Sequence, residues 1–142
     1  EKYCGFSIAE PWLPVSDAFK KEITVSAQED DEDSILAFYK KLISLRKEYP
    51  VIAKGEIEFL KTGSDKTLAY RRSLGSDQLT IFCNLGREKQ TIMFDKTCRN
   101  GRVLLENYKD QKEQNLAEQE SYMLRPYEIL LIESKADGNP GK

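Results

Sequence analysis

Residues 79–85 read Leu-Thr-Ile-Phe-Cys-Asn-Leu, the most hydrophobic run of the chain, and turn residues bound it on both sides. Gly75-Ser76-Asp77 precedes the run and Gly86-Arg87-Glu88 follows it. A short apolar run between turn signals is typical of a buried strand. The sequence therefore predicts a central strand at this position, with other strands on either side.

Further runs with β character lie before and after this strand. They are Gly55–Leu60, Thr67–Leu74, Gln90–Phe94, Arg102–Glu106, Ser121–Leu124 and Tyr127–Glu133. Turns recur at intervals of about eight to twelve residues, a spacing typical of antiparallel sandwiches. The sequence therefore predicts a mainly β fold, an antiparallel Greek-key β-sandwich over residues 51–135.

One amphipathic α-helix is predicted before the sandwich, from Ser34 to Glu48. Either Asp33 or Ser34 can cap its N-terminus, and Pro50 ends it. The wide apolar stripe predicts that one face docks on a sheet or barrel while the other meets water. The apolar residues recur at spacings of three and four; they are Ile35, Leu36, Phe38, Tyr39, Leu42, Ile43 and Leu45.

An acidic run, Glu29-Asp30-Asp31-Glu32-Asp33, precedes this helix and has two interpretations. Calcium loops arrange alternating oxygen ligands around a central glycine, which this run lacks. Negative charge at the start of a helix interacts favourably with the helix dipole. We therefore interpret the run as a helix entry, and we predict no metal-ligating and no cofactor-binding residue in the chain.

The N-terminal segment is apolar and rich in proline, without the period of a helix or a strand. It contains Gly5-Phe6-Ser7 and then Pro11-Trp12-Leu13-Pro14-Val15, which holds the only tryptophan. Such segments normally lie against a larger body, and the chain does not begin with Met. We therefore expect a piece of a longer protein, in which residues 1–50 form a region separate from the sandwich and residues 136–142 form a disordered tail.

Composition excludes several classes of function. The 142 residues carry a net charge of −2 with basic and acidic residues interleaved, so no nucleic-acid partner is expected. No apolar run approaches the roughly 20 residues of a membrane span, and no signal peptide opens the chain. The absence of histidine excludes histidine-based catalysis. Three widely spaced cysteines, Cys4, Cys83 and Cys98, indicate thiols in a reducing compartment, so we expect a cytoplasmic location.

Two pairs of charged residues are candidates for a site. Glu56 and Glu58 share one face of a predicted strand, opposite Ile57 and Phe59, which favours a solvated face over a catalytic carboxylate pair. Arg71 and Arg72 could clamp an anion, and surface charges on an edge strand explain them equally well. We therefore predict no catalytic residue in this chain.

Aromatic residues offer one further possibility, because aromatic rings suit the stacking of sugars. In a sandwich such rings usually pack in the core or at its rim, and we favour that interpretation. The tyrosines concerned are Tyr70, Tyr108, Tyr122 and Tyr127.

Three segments together resemble glycoside hydrolase family 13. Residues 5–15 resemble its "GF(T/S)…PWLPV" segment, late in the catalytic barrel. Residues 33–47, Asp-Ser-Ile-Leu-Ala-Phe-Tyr-Lys-Lys-Leu-Ile-Ser-Leu-Arg-Lys, look like its last barrel helix, "DSVLNFYRKLIALRK". Residues 124–128, Leu-Arg-Pro-Tyr-Glu, match the "L-x-PYE" signature near the end of its C-terminal β-domain. The first two are similar to the branch that includes oligo-1,6-glucosidases, trehalose-6-phosphate hydrolases and sucrose isomerases.

This resemblance implies the C-terminal part of a retaining α-glucosidase of the oligo-1,6-glucosidase type. The helix would be the terminal helix of a (β/α)₈ barrel and the sandwich its C-terminal β-domain, so the missing barrel is the expected partner. A small α-gluco-oligosaccharide is the expected substrate of the parent enzyme. Retaining hydrolysis needs two carboxylates about 5–5.5 Å apart. In the family these lie upstream of the matching segment, so the chain itself is expected to be non-catalytic.

Two alternatives stay open at this point. One is a carbohydrate-binding module that uses tyrosines of the sandwich. The other is a non-enzymatic relative, such as the ectodomain of an amino-acid-transporter heavy chain. The chain has no Asn-x-Ser/Thr glycosylation site, which counts against this extracellular relative.

Overall fold

A computed structural model of the chain describes residues 2–5, 7–15, 23–108, 116 and 119–136. Two compact units make up the chain, Glu1–Ser44 and Leu45–Lys142. The architecture is mainly antiparallel β, as predicted. Among the described residues, no helix is long and apolar enough to cross a membrane. Residues 16–22, most of residues 109–118 and most of the predicted tail at 136–142 lie outside the described part of the chain.

The first unit contains short helical elements and most of one long helix. A 3₁₀ turn at Lys2–Gly5 is followed by α1 at Val25–Gln28 and by α2, which begins in this unit and spans Ile35–Glu48. Helix α2 confirms the predicted amphipathic helix to within one residue. The short helix α1 was not predicted, because a single turn has too few residues to show a period.

Ser34 caps α2, which resolves the choice between two predicted caps. Its Oγ accepts a hydrogen bond from the Ala37 backbone N–H at 3.1 Å and donates to the Gln28 carbonyl at 2.9 Å. Asp33 lies in the preceding turn, where its N–H donates to Asp31 Oδ1 at 2.9 Å. The acidic run therefore forms the entry to the helix. The described residues hold no group of three or more side chains suited to a metal ion.

Pro50 separates two helices: it follows the end of α2 as predicted, and it also begins a short helix, α3, that was not predicted. Helix α2 ends at Glu48, and α3 spans Pro50–Lys54 with proline in its first turn. Proline suits that position, because the missing N–H has no partner there in any helix. Arg72 holds the other end of α3: its guanidinium donates to the carbonyls of Val51 at 3.1 Å and Gly55 at 2.6 Å.

The second unit contains two antiparallel sheets. The larger sheet has the strand order β1-β2-β3-β7-β5, and the smaller one pairs β4 with β6. A short helix, α4 at Lys96–Arg99, connects β4 to β5. The strands are β1 Glu56–Leu60, β2 Thr67–Leu74, β3 Asp77–Asn84, β4 Gln90–Met93, β5 Arg102–Glu106, β6 Ser121–Leu124 and β7 Ile129–Lys135.

The core lies between the two sheets. Strand β3 is central, as its hydrophobic run predicted, and Phe82 is buried with its ring centroid 5.7 Å from that of Phe94. The Phe94 ring in turn stacks on Tyr122 at 6.0 Å. The buried core residues come from both sheets and from the connections; they are Ala69, Phe82, Ile92, Phe94, Cys98, Leu116, Leu124, Leu130 and Ile132.

Strand β1 exposes both of its faces, which include the solvated face predicted for Glu56 and Glu58. Ile57 and Phe59 share a face as predicted, but that face is the outer one, and their side chains are 52% and 69% exposed. Glu58 points to the opposite face from Ile57 and Phe59, lies across from Arg71 of β2 and is exposed. Strand β7 begins at Ile129 instead of Tyr127, because Tyr127 has a left-handed backbone with φ of 56° and belongs to the preceding turn.

Gly101 is a position that the packing restricts to glycine. A Cβ placed there would lie 2.7 Å from the Glu133 carbonyl oxygen and would overlap the buried Ile132 side chain. We expect Gly101→Ala to lower the free energy of unfolding by about 2 kcal/mol, since such overlap forces a backbone shift. Urea denaturation followed by circular dichroism measures this change. Gly86→Ala is the control, because its nearest contact would be 3.4 Å; equal losses for both variants would contradict the steric explanation.

Candidate functional site

The predicted arginine pair serves structural contacts in this fold. Arg72 binds the end of α3, and Arg71 donates from Nε to Thr80 Oγ1 at 3.0 Å and forms an ion pair with Asp95. Asp95 caps α4, accepting from the Cys98 N–H at 2.9 Å. Burial raises the pKa of Asp95, but the hydrogen bonds from Arg71 and Cys98 outweigh it and hold the pKa below its usual value. The two arginines therefore do not converge on an anion.

Glu56 and Glu58 lie on the exposed edge strand β1. Both side chains are exposed to solvent. A catalytic acid normally lies in a partly desolvated site, so this pair lacks the surroundings of one. Cys83 and Cys98 lie in settings that keep their thiols unreactive. Cys98 is fully buried, and burial raises its pKa to about 11. Burial also raises the pKa of the half-buried Cys83 thiol, so both thiols stay protonated near neutral pH.

The four tyrosines do not form one platform. Tyr122 packs against the core. The Arg125 guanidinium lies over the Tyr108 ring, 3.8 Å from the centroid of that ring. Tyr70 packs beside Phe59 on the outer face of the larger sheet, with ring centroids 6.2 Å apart. Tyr127 alone among the four has an exposed ring, at 53%. The other three thus have the packing roles expected of tyrosines in a sandwich.

A buried carboxylate, Glu128, ties the β6–β7 connection together, and sequence reasoning assigned it no role. Its side chain is fully buried and accepts from the Arg125 backbone N–H at 2.6 Å, the Arg125 guanidinium at 2.8 Å and the Tyr122 hydroxyl at 3.1 Å. Burial raises the pKa of Glu128, but these hydrogen bonds and the positive charge of Arg125 outweigh it, so the pKa falls below 4.5. The carboxylate is a structural anion.

A buried amide, Asn84, joins two connections at the same end of the sandwich. Its Nδ2 donates to the carbonyls of Glu88 at 2.7 Å and Arg125 at 2.8 Å, while its Oδ1 accepts from the Gly86 N–H at 2.9 Å. The side chain is only 2% exposed. One residue therefore satisfies three backbone groups from the β3–β4 and β6–β7 connections.

The outer face of the larger sheet carries an apolar surface, which we call the outer patch. Three of its residues lie opposite one another on adjacent strands, Phe59 on β1, Tyr70 on β2 and Ile81 on β3. Ile57 and Leu68 extend the surface along β1 and β2. Helix α3 packs against β2 and β3. Exposed apolar surfaces of this kind are typical of sites that contact another domain or protein.

The N-terminal part of the chain also presents apolar side chains. Trp12 is 90% exposed, and Ile8 and Leu13 are exposed as well. On α2, the exposed side chains include Ile35 and Ile43. The described residues of the first unit therefore leave a second apolar surface uncovered, as expected for a segment that normally lies against a larger body.

Comparison with known proteins assigns a family to these features. The family model described as alpha amylase, catalytic domain, matches residues 1–55. The probable oligo-1,6-glucosidase 2 of Bacillus subtilis is 34% identical over 129 residues, which cover 89% of this chain and 22% of the relative. The oligo-1,6-glucosidase of Parageobacillus thermoglucosidasius is 31% identical over 126 residues, 87% of this chain and 22% of the relative.

The fold leads to the same family. The crystal structure of the Bacillus licheniformis trehalose-6-phosphate hydrolase superposes with a TM-score of 0.80 at 27% identity, covering 96% of this chain and 24% of that one. The chain spans about 22% of the length of the curated relatives above. In sequence and in fold, the chain belongs to the α-amylase family, glycoside hydrolase family 13, and is similar to its oligo-1,6-glucosidases.

Proposed function

We propose that this chain is the structural C-terminal part of a retaining α-glucosidase that acts on α-glucosidic bonds of small oligosaccharides. The observation that carries the proposal is the combination of a packed sandwich core with two exposed apolar surfaces, the outer patch and the segment around Trp12. A β-domain that supports a neighbouring catalytic domain needs such a surface and needs no active site. The relatives that match the chain are oligo-1,6-glucosidases, which supports the substrate class.

The partner in this proposal is the catalytic barrel of the same enzyme. Helix α2 and the segment around Trp12 would complete the barrel, and the outer patch would pack on its surface. Burying side chains such as Ile57 and Phe59 contributes roughly 1.5–3 kcal/mol each. The role of this chain is therefore to stabilise the barrel, and catalysis is assigned to carboxylates outside it. We also propose a cytoplasmic location, which agrees with thiols that lie outside disulfides.

Activity measurements on the purified chain test the non-catalytic assignment. We expect no release of glucose from isomaltose and no hydrolysis of a nitrophenyl α-glucoside. Turnover that survives purification to homogeneity would contradict the proposal. The reading frame upstream of Glu1 tests the parent enzyme: an Arg-Thr-Pro-Met-Gln-Trp motif preceded by three carboxylate residues is expected there.

The outer patch predicts that the purified chain self-associates as its concentration rises, which sedimentation velocity measures. Replacing both exposed patch residues, Ile57→Ser and Phe59→Ser, is expected to weaken this self-association, because apolar contact area is lost from the outer patch. The matched control is Met93→Ser with Met123→Ser, whose side chains are 67% and 56% exposed on the smaller sheet. If Met93→Ser with Met123→Ser weakens self-association and Ile57→Ser with Phe59→Ser does not, the outer patch is not the association surface.

A further inference from the structure

A cleft lies at the end of the sandwich where three connections meet. One wall is Lys66, at the start of β2, and a second is the β3–β4 connection. The third is Tyr127 in the β6–β7 turn. The cleft has a volume of about 410 Å³, within the range of about 300–1,000 Å³ usual for small-molecule sites. Its lining residues are Lys66, Leu85, Gly86, Arg87, Glu88, Gln90 and Tyr127.

Tyr127 faces this cleft from a strained position. Its φ of 56° lies in the left-handed region, which costs a residue with a Cβ roughly 1–2 kcal/mol. Backbone hydrogen bonds hold it there: its N–H donates to the Gly86 carbonyl at 3.2 Å, and its carbonyl accepts from Asn107 Nδ2 at 2.9 Å. The ring stays 53% exposed, so core packing does not explain the strain. Strain retained without burial is characteristic of ligand sites.

Polar side chains are oriented around this ring. The Arg87 guanidinium donates from Nε to the Tyr127 hydroxyl at 3.3 Å. Gln90 Oε1 accepts from Ser64 Oγ at 2.9 Å, which fixes the plane of the amide at the cleft wall. Planar amide and guanidinium groups offer several donors and acceptors with defined directions. Because the Asn84 hydrogen bonds set the loop conformation, these groups are arranged before any ligand arrives.

The combination of apolar and polar groups in the cleft lining indicates the class of ligand. Leu85 is 61% exposed and, with the Tyr127 ring, adds apolar area to a cleft that also contains Glu88. Lys66 and Arg87 bring positive charge to the cleft, but Glu88 lies in the same lining and Lys66 pairs with Asp65 at 3.6 Å, so the cleft has little net charge with which to hold an anion. A neutral sugar has an apolar C–H face and a rim of hydroxyl groups, which match the ring and the planar polar groups. We propose that this cleft binds a neutral oligosaccharide, with one sugar ring stacked on Tyr127.

Titration by nuclear magnetic resonance tests the site on the ¹⁵N-labelled chain. We expect isomaltose or maltotriose to move the amide signals of Gly86, Arg87, Gln90 and Tyr127 saturably. Tyr127→Asn removes the ring but tolerates the left-handed backbone, and we expect it to weaken binding at least about fivefold, the contribution of an aromatic contact. Tyr127→Phe keeps the ring, so its affinity should stay close to that of the original chain.

The control variants show whether sugar binding depends on this cleft. Tyr39→Ala removes a ring that is 61% exposed on α2 and should leave the affinity unchanged. If Tyr127→Asn loses its dispersed spectrum, Arg87→Ala is the second variant, and it should lower the affinity because it removes a wall of the cleft. The proposal is overturned if no sugar moves these signals, if sodium phosphate moves them and the sugars do not, or if Tyr127→Asn binds as tightly as Tyr127→Phe.

Discussion

Glu128→Ala is expected to lower the free energy of unfolding by about 3–5 kcal/mol. The substitution removes a fully buried carboxylate and leaves the Arg125 backbone N–H, the Arg125 guanidinium and the Tyr122 hydroxyl without the group that accepts from them. Half-satisfied polar networks are more costly than apolar packing. Chemical denaturation of the purified chain measures the loss.

A surface ion pair provides the matched control for this variant. Glu120 lies 3.4 Å from Arg99, and its side chain is 76% exposed. Glu120→Ala is expected to change stability by less than about 1 kcal/mol, because solvent screens exposed pairs. Similar losses from both variants would show that burial of Glu128 does not determine its contribution.

Lowering the pH should reduce the free energy of unfolding by part of the amount that Glu128→Ala removes. Because the folded-state pKa of Glu128 lies below its ordinary value of 4.5, its stabilisation is complete above that value and is lost as pH falls through the lowered pKa. The Glu128→Ala variant lacks this group, so its stability should depend less steeply on pH below 4.5. Parallel pH profiles for the two proteins would contradict this assignment.

Asn84→Ala is expected to lower the free energy of unfolding by about 3 kcal/mol. Each buried backbone group left without a partner costs about 1–3 kcal/mol, and local rearrangement keeps the total below the sum for the three groups. The Glu88 and Arg125 carbonyls and the Gly86 N–H all depend on this amide. Thermal unfolding should therefore occur at a clearly lower temperature. The amide signals of Gly86 and Tyr127 should move even where the fold persists.

Asn100→Ala is the control for this second variant. Asn100 is exposed and follows α4, where its backbone N–H makes the capping hydrogen bonds. Its side chain can be removed at a cost within about 0.5 kcal/mol, as for most surface substitutions. If Asn84→Ala unfolds at the same temperature as this control, the amide does not hold the two connections together.

The strands and the long helix could be predicted because their periods are visible along the chain. The run at residues 79–85 predicted the central strand β3, and the stripe from Ile35 to Leu45 predicted α2. A period of two, however, shows only which side chains share a face. It does not show which face is covered, so the pattern did not reveal that Ile57 and Phe59 are exposed as well as Glu56 and Glu58.

The remaining features depend on contacts between distant residues. Pro50 ends one helix and begins another, and α3 depends on the Arg72 hydrogen bonds and on packing against β2 and β3, which come from residues distant in sequence. A glutamate is normally exposed, so its residue type gave no indication that Glu128 is buried. The left-handed backbone of Tyr127 is equally invisible, because it is held by Gly86 and Asn107, which are distant in sequence.

The position of β7 has a consequence for how the chain is made on the ribosome. Strands β1, β2 and β3 are neighbours in sequence and in space, but β7 lies between β3 and β5 in the middle of the sheet. Until Ile129–Lys135 has been synthesised, β3 and β5 therefore present open edges, which can recruit other chains. Nascent polypeptides that stall before Ile129 should accordingly be targets for chaperones that recognise unpaired strands.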